Sequence, residues 1–247
     1  MSGRIAVIGS GIAGLSAAWL LAKGADVTLI ENAPRLGGHA NTVSVTTPTG
    51  AVKVDTGFIV YNEQNYPNLT EFYRHLGVAT APSDMSFAVT ADNGRMEYSG
   101  ENLAGLFGQR RNLMRPRHWQ MVFDILRFFS SAEAHAATLS EEIGIGEFLK
   151  RFGYSRAFIE DHILPISSAI WSTPARSMLD FPARAFVSFF SNHGLLKQIK
   201  DRPRWRTVVG GSQAYVAKVV ADSAMKVLTG VHLAAVVRDA TGVDLFF

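Results

Sequence analysis

The stretch Arg4-Ile5-Ala6-Val7-Ile8-Gly9-Ser10-Gly11-Ile12-Ala13-Gly14 decides how the rest of the chain is read. Its first five residues form a nearly continuous apolar run. That predicts a strand buried on both faces, as in a parallel sheet. Leu15 to Lys23 is rich in Ala and Leu and predicts a helix, closed by Gly24 at C′. Asp26-Val27-Thr28-Leu29-Ile30 predicts a second strand, ending at Glu31. The order is a complete β-α-β unit.

Each glycine in the turn has a physical reason. Gly9 permits the tight exit from the strand. Gly11 lets the backbone approach a pyrophosphate, and Gly14 lets the helix pack closely on the sheet. Ser10, Ile12 and Ala13 complete this candidate cofactor loop. The helix N-terminus offers free N–H groups and partial positive charge to phosphates. Glu31, at the strand tip and followed by Asn32, can accept both hydroxyls of an adenosine ribose and would repel a 2′-phosphate. The context, rather than the glycines alone, predicts dinucleotide binding.

Arg35-Leu36-Gly37-Gly38-His39, then Ala40-Asn41-Thr42, follows closely. It resembles the R-x-G-G segment of the flavin amine oxidase superfamily. The resemblance implies FAD, with the paired glycines beside its pyrophosphate and ribityl chain and the arginine near the adenosine–phosphate end. Paired glycines allow close approach, and Arg35 supplies charge-assisted donors. Val43 to Val54 predicts a hairpin around Pro48-Thr49-Gly50. It leads into Asp55-Thr56-Gly57-Phe58-Ile59, similar to the superfamily's D-x-G step beside the flavin, with Tyr61 and Asn62 nearby. Trp205 to Ser212 resembles its GG step into a helix, here Gln213 to Ala224 with Ser212 as N-cap. Val231 to Arg238 then reads as the strand passing the adenine, with Leu233 as the contact residue. Together with Ile170-Trp171-Ser172-Thr173-Pro174 and Asn192-His193-Gly194-Leu195-Leu196, these runs resemble bacterial predicted NAD/FAD-binding proteins related to amine oxidases.

The fold class this implies is α/β: a Rossmann-type, GR2-like FAD-binding domain with an inserted, mainly helical substrate or cap region. Residues 1–64 and 205–247 are assigned to the former and 65–204 to the latter. Cofactor-binding candidates are Gly9, Ser10, Gly11, Ile12, Ala13, Gly14, Glu31, Asn32, Arg35, Gly37, Gly38, His39, Thr42, Gly57, Phe58, Ile59 and Leu233. In this superfamily a hydride passes from a substrate C–H bond to flavin N5, and the protein orients the donor and excludes water. No catalytic residue is assigned: the lysine that some amine oxidases place near N5 has no counterpart position here. The substrate class expected is a small molecule or a fatty-acyl-like lipid. Some members of the bacterial group lie beside cyclopropane fatty-acid synthase genes. Rival readings are a flavin-dependent isomerase of the UDP-galactopyranose mutase type, or a non-catalytic flavin-binding subunit or inactive fragment. Superfamily members are longer and end on a G-D segment that this sequence lacks, so the chain is expected to be an N-terminal portion.

Composition narrows the classes. The 247 residues are 47% hydrophobic and 18% charged, which excludes a disordered or low-complexity protein. With Cys 0, thiol catalysis, Cys-ligated zinc and iron–sulfur clusters are excluded. A net charge of +3 is too small an excess to suggest nucleic acid as partner. No apolar run reaches the ~18 residues of a spanning helix, and no signal peptide is visible, so a cytoplasmic protein is expected. The seven histidines show no metal-ligand spacing, and no G-x-S-x-G elbow is present. His162 and His193 read as packing or capping residues.

In the middle region, Asn65 is expected to cap a helix with Pro67 early and Gly77 at its stop. Asp92-Asn93-Gly94 predicts a hairpin turn between Ser86–Thr90 and Arg95–Ser99. Pro116 predicts the start of a helix to about Ala137. Thr138 to Glu141 reads as a capping box, and Asp180 with Pro182 as an N-cap and N1 pair. Phe186, Val187 and Phe190 share a helical face. Phe181 to Phe190 reads as core, or else as an apolar tunnel lining. The basic run Gln109 to His118, followed by Trp119, Phe123, Phe128 and Phe129, reads as a solvated loop before a core helix. The alternative is a peripheral membrane contact. Electron acceptor and oligomeric state leave no signal.

Overall fold

The computed structural model describes residues 3–196 and 203–247. The chain divides into two compact units, Met1–Asp84 with Arg204–Phe247, and Met85–Pro203. The first stretch runs β1 (Arg4–Ile8), α1 (Ile12–Leu21), β2 (Asp26–Glu31), β3 (Thr42–Thr47), β4 (Gly50–Asp55), β5 (Tyr61–Asn62), α2 (Pro67–His75) and β6 (Thr80–Ser83). The second unit holds β7 (Ala88–Ala91), β8 (Met96–Ser99), α3 (Leu103–Leu106), α4 (Pro116–Ala137), α5 (Ile145–Arg151), α6 (Arg156–Phe158), α7 (Leu164–Trp171) and α8 (Ala183–Asn192). The chain then returns to the first unit as β9 (Trp205–Val208), α9 (Gln213–Ala221), β10 (Lys226–Thr229), β11 (Ala235–Arg238) and β12 (Val243–Phe246). This is an α/β Rossmann-type fold with a helical insert.

The parallel sheet has the order β1-β2-β10. Val7 pairs with Leu29, and Leu228 with Ile30. Central β2 buries Val27, Leu29 and Ile30, each contributing roughly 1.5–3 kcal/mol. The expectation for β1 needs correction. Among the described residues it pairs only with β2, and its burial alternates instead of being continuous. Helix α1 covers one face through Leu15 and Ala18, so Ile5 and Val7 are half-buried while Arg4, Ala6 and Ile8 are exposed. A second correction concerns β10, which the expected helix to Ala224 and strand from Val231 leave out. Helix α9 stops at Ala221, and the segment expected as one strand is extended only at β11. Four residues starting with Lys226 carry no periodic signal; their pairing with β2 makes them a strand.

A second sheet, β5-β9-β6, is antiparallel, with Tyr61 opposite Arg206 and Ala81 opposite Thr207. It ties residues up to Asp84 into the first unit. Strand β6 pairs with β9, and Tyr73 of α2 is buried between Tyr61 and Tyr215, ring centroids 5.3 and 5.2 Å away. Pro67 opens α2, but the N-cap position falls on Tyr66 rather than Asn65. Gly77 follows the C-cap at φ 60.

In the second unit the hairpin closes with Arg95 N–H donating to the Asp92 carbonyl at 3.1 Å, so its two central residues are Asn93 and Gly94, both left-handed (φ 54 and 81), as a two-residue turn requires. Helix α4 buries Met121, Val122, Ile125, Phe128 and Ala132. Phe128 meets the rings of Phe148, Phe158 and Phe190 at 5.5–6.3 Å. Phe186 and Phe190 are buried in the same core, so the Phe181–Phe190 stretch is packing. The expected capping box at Thr138 is instead the end of α4, its hydroxyl donating to the His135 carbonyl. Helix α5 is capped by Gly144, and Pro182 rather than Asp180 caps α8.

Candidate dinucleotide site

The loop between β1 and α1 assigns its three glycines three different tasks. Gly9 has φ 91 and donates its N–H to the Ile30 carbonyl at 2.8 Å, tying the turn to β2. A Cβ on Gly14 would lie 1.8 Å from the Gly9 oxygen, so only glycine lets α1 pack there. A Cβ on Gly11 would meet nothing within 4 Å: the space it faces is open. Gly11 is also the N-cap of α1, without a side-chain cap and with no acid in the first turn. The first intrahelical bond is Leu15 N–H to Gly11 O, leaving the N–H groups of Ile12, Ala13 and Gly14 without helical partners. Ile12 and Ala13 are exposed. This is a positive helix end directed at open space.

Glu31 is held by that same loop. Its Oε2 accepts from Ser10 N–H at 2.8 Å and from Ser10 Oγ at 2.5 Å, and Oε1 accepts from Ala33 N–H at 2.8 Å. These bonds, the Ser10 hydroxyl foremost, hold its carboxyl below the usual carboxylate range. Partial burial opposes them, and the backbone N–H of Asn32 adds to them. Sequence reasoning placed Ser10 in the loop without a task. The structure makes it the buried hub, since its Oγ and carbonyl also both accept from Gly37 N–H, at 3.1 and 3.0 Å.

The second glycine pair therefore lies on the first loop. Gly37 and Gly38 have φ 111 and 55, and a Cβ on Gly38 would stand 3.0 Å from Gly11 Cα. Exposed Arg35 folds over its own turn, donating to the carbonyls of Gly38, Ala40 and Leu36 at 3.0–3.5 Å. His39 is exposed, and its carbonyl accepts from Phe58 N–H at 2.8 Å. Gly57 packs so close that a Cβ would be 2.3 Å from that oxygen. Ile59 is exposed, with its carbonyl accepting from Thr207 Oγ1.

Two further candidates lie away from this loop. The Thr42 hydroxyl donates to Asp55 Oδ1 at 2.6 Å and accepts from Gln213 N–H at 3.0 Å, a structural tie between β3 and α9. Leu233 lies half-buried in an irregular segment before β11. That segment does begin at the acid: Val231 N–H donates to the Glu31 carbonyl and Gly230 N–H to that of Ala33. Sequence reading missed the role of Asp55. Its carboxylate accepts from both the N–H and the hydroxyl of Ser212 at 2.8–3.0 Å, so Asp55 of β4 and Thr42 of β3 together cap α9. Ser212 occupies the N-cap position but makes no capping bond of its own. The D-x-G run was the available signal.

An open helix end, an acid at the tip of the next strand and a glycine turn folded between them make up a Rossmann-type domain at the start of the chain. Residues 7–76 match the family described as NAD(P)-binding Rossmann-like domain. No curated protein matches the sequence. The fold is that of several solved structures. Cyclohexylamine oxidase from Brevibacterium oxydans IH-35A superposes with TM-score 0.66 at 20% identity, covering 100% of this chain and 55% of its own. Wild-type putrescine oxidase bound to putrescine gives 0.64 at 18%, covering 99% and 55%. A CLA-producing fatty acid isomerase from P. acnes gives 0.60 at 19%, covering 98% and 55%. The chain thus spans about half the length of these structures. Among the described residues, no helix is long and apolar enough to cross a membrane.

Proposed function

We propose that the chain is the ADP-cradling part of an FAD-dependent oxidoreductase of the amine-oxidase type. The observation that carries this reading is the packing of Gly38 on Gly11, beside an ionised Glu31 held by Ser10. One turn presents the helix N-terminus, and the acid stands at the end of β2, bonded to that same loop through Ser10. The residues fit the ADP half of FAD: Gly11, Ile12 and Ala13 would face the pyrophosphate, and Glu31 the ribose hydroxyls. Glu31 argues against NADP. Bound flavin supplies hydride acceptance from a substrate C–H bond. This chain's own residues bind and orient it, and no proton-moving group is assigned. The likeness to amine oxidases supports an amine substrate, and the likeness to a fatty acid isomerase supports a fatty-acyl one. The latter also supports a second reading, flavin-dependent isomerisation without net electron transfer.

Denaturing the purified protein and identifying the released cofactor tests the proposal. Released FAD is expected. Release of NAD, or of nothing after supplementation with FAD, would sink it. Product formation without consumption of oxygen or another acceptor would favour the isomerase.

A further inference from the structure

Helix α4 has two apolar faces, and the core uses only one. Trp119, Phe123 and Leu126, spaced i, i+4, i+7, lie on the other, where Phe123 is 63% and Leu126 55% exposed. The turn before the helix extends the ridge with Leu113 and Met114, the latter 86% exposed. The ridge is tied together: Trp119 Nε1 donates to the Leu113 carbonyl at 2.9 Å, and the Trp119 ring lies 5.8 Å from Phe123. A contiguous apolar ridge of this kind marks an interaction surface rather than ordinary solvated skin.

The flanking charge says what covers it. Arg110 is exposed, Arg111 donates to the Gly94 carbonyl, and Arg115 donates to the Arg95 carbonyl and Asn112 Oδ1. None of the three has a carboxylate partner among the described residues, whereas Arg117 pairs with Glu160 and Asp161, and Arg127 with Asp124. Three uncompensated guanidiniums beside a Trp-bordered apolar ridge fit an anionic lipid surface. A symmetric second copy would bring the same arginines towards each other.

We propose that this ridge is a peripheral contact for anionic lipid, with Met114, Phe123 and Leu126 entering the headgroup–acyl boundary and the arginines meeting phosphates. The inference does not depend on the cofactor. Flotation of the full chain with phosphatidylcholine vesicles, with and without phosphatidylglycerol, tests it. Recovery is expected only with phosphatidylglycerol, falling as salt rises. The double variant Phe123→Ser/Leu126→Ser should weaken it at least ~10-fold, and Arg110→Glu by roughly 5-fold. Both change exposed side chains, so the unfolding temperature should hold. Quenching by bromine-labelled lipid, read as the difference between the wild type and Trp119→Phe, gives a second measure that needs no disruptive variant. Equal recovery on both vesicles, recovery unchanged in the double variant, or absence of Trp119 quenching would overturn the proposal. So would a dimer that the double variant dissociates, which would assign the ridge to a second copy.

Discussion

At Gly14 a Cβ would collide with the Gly9 carbonyl, whereas at Gly11 it would project into open space. The two glycines of one motif should therefore fail differently. Gly14→Ala forces α1 off the sheet and should cost about 3 kcal/mol, read in urea unfolding. Gly11→Ala should cost no more than about 1 kcal/mol, from the poorer N-cap, and lower dinucleotide affinity instead, measured by titration. Equal losses of stability would contradict the separation of roles. Glu31 belongs to the same scale. Its pKa is depressed by the Ser10 bonds, so the ionised form persists below the ordinary carboxylate range. Dinucleotide binding should be flat with pH near neutrality and fall only as the carboxylate protonates in acid. Glu31→Gln should abolish that acid limb and weaken binding throughout, measured as Kd against pH.

Among the elements, α9 is held by two strands distant in sequence, β3 through Thr42 and β4 through Asp55. Asp55 accepts from Ser212, and Thr42 accepts from the Gln213 N–H, so the carboxylate and hydroxyl do the work of an N-cap and oppose the helix dipole. Asp55→Ala should cost about 2 kcal/mol and Thr42→Val about 1 kcal/mol. The two side chains share one hydrogen bond, so the double variant should cost less than the sum. A fully additive cycle in denaturant unfolding would mean that each acts separately.

For the molecule as a whole, acid should act on the second unit through His162. Its ring is buried beside Tyr98, and burial holds its pKa down at about 3. Tyr98 Oη donates to the Asp161 carbonyl at 2.8 Å, so His162 Nδ1, 3.0 Å away, is the donor to the phenol oxygen. The folded pKa lies below the unfolded one, so the unfolded chain binds the proton first. This stability is fully present above the ordinary histidine range and is lost as pH falls from about 6.5 towards 3. His162→Phe should flatten the fall of unfolding temperature across that window. An unchanged slope would assign the acid sensitivity elsewhere.

The β-α-β unit, the glycine turn, the hairpins and the long helix α4 were legible in the residues. Each is written as a local pattern: a period, a run of apolar residues, or a glycine where φ must be positive. The place of Glu31 at the end of β2 and the positive φ of Gly37 and Gly38 were legible for the same reason. Partnership between distant segments was not. Strand β10 exists through its pairing with β2, the cap of α9 comes from residues more than 150 positions earlier, and Ser10 gains its task only when Gly37 and Glu31 fold onto it. The apolar surface of α4 shows the same division. Its composition is visible in the chain, but which of two apolar faces enters the core is set by the packing of α5, α6 and α8, because a helix can turn only one stripe inward.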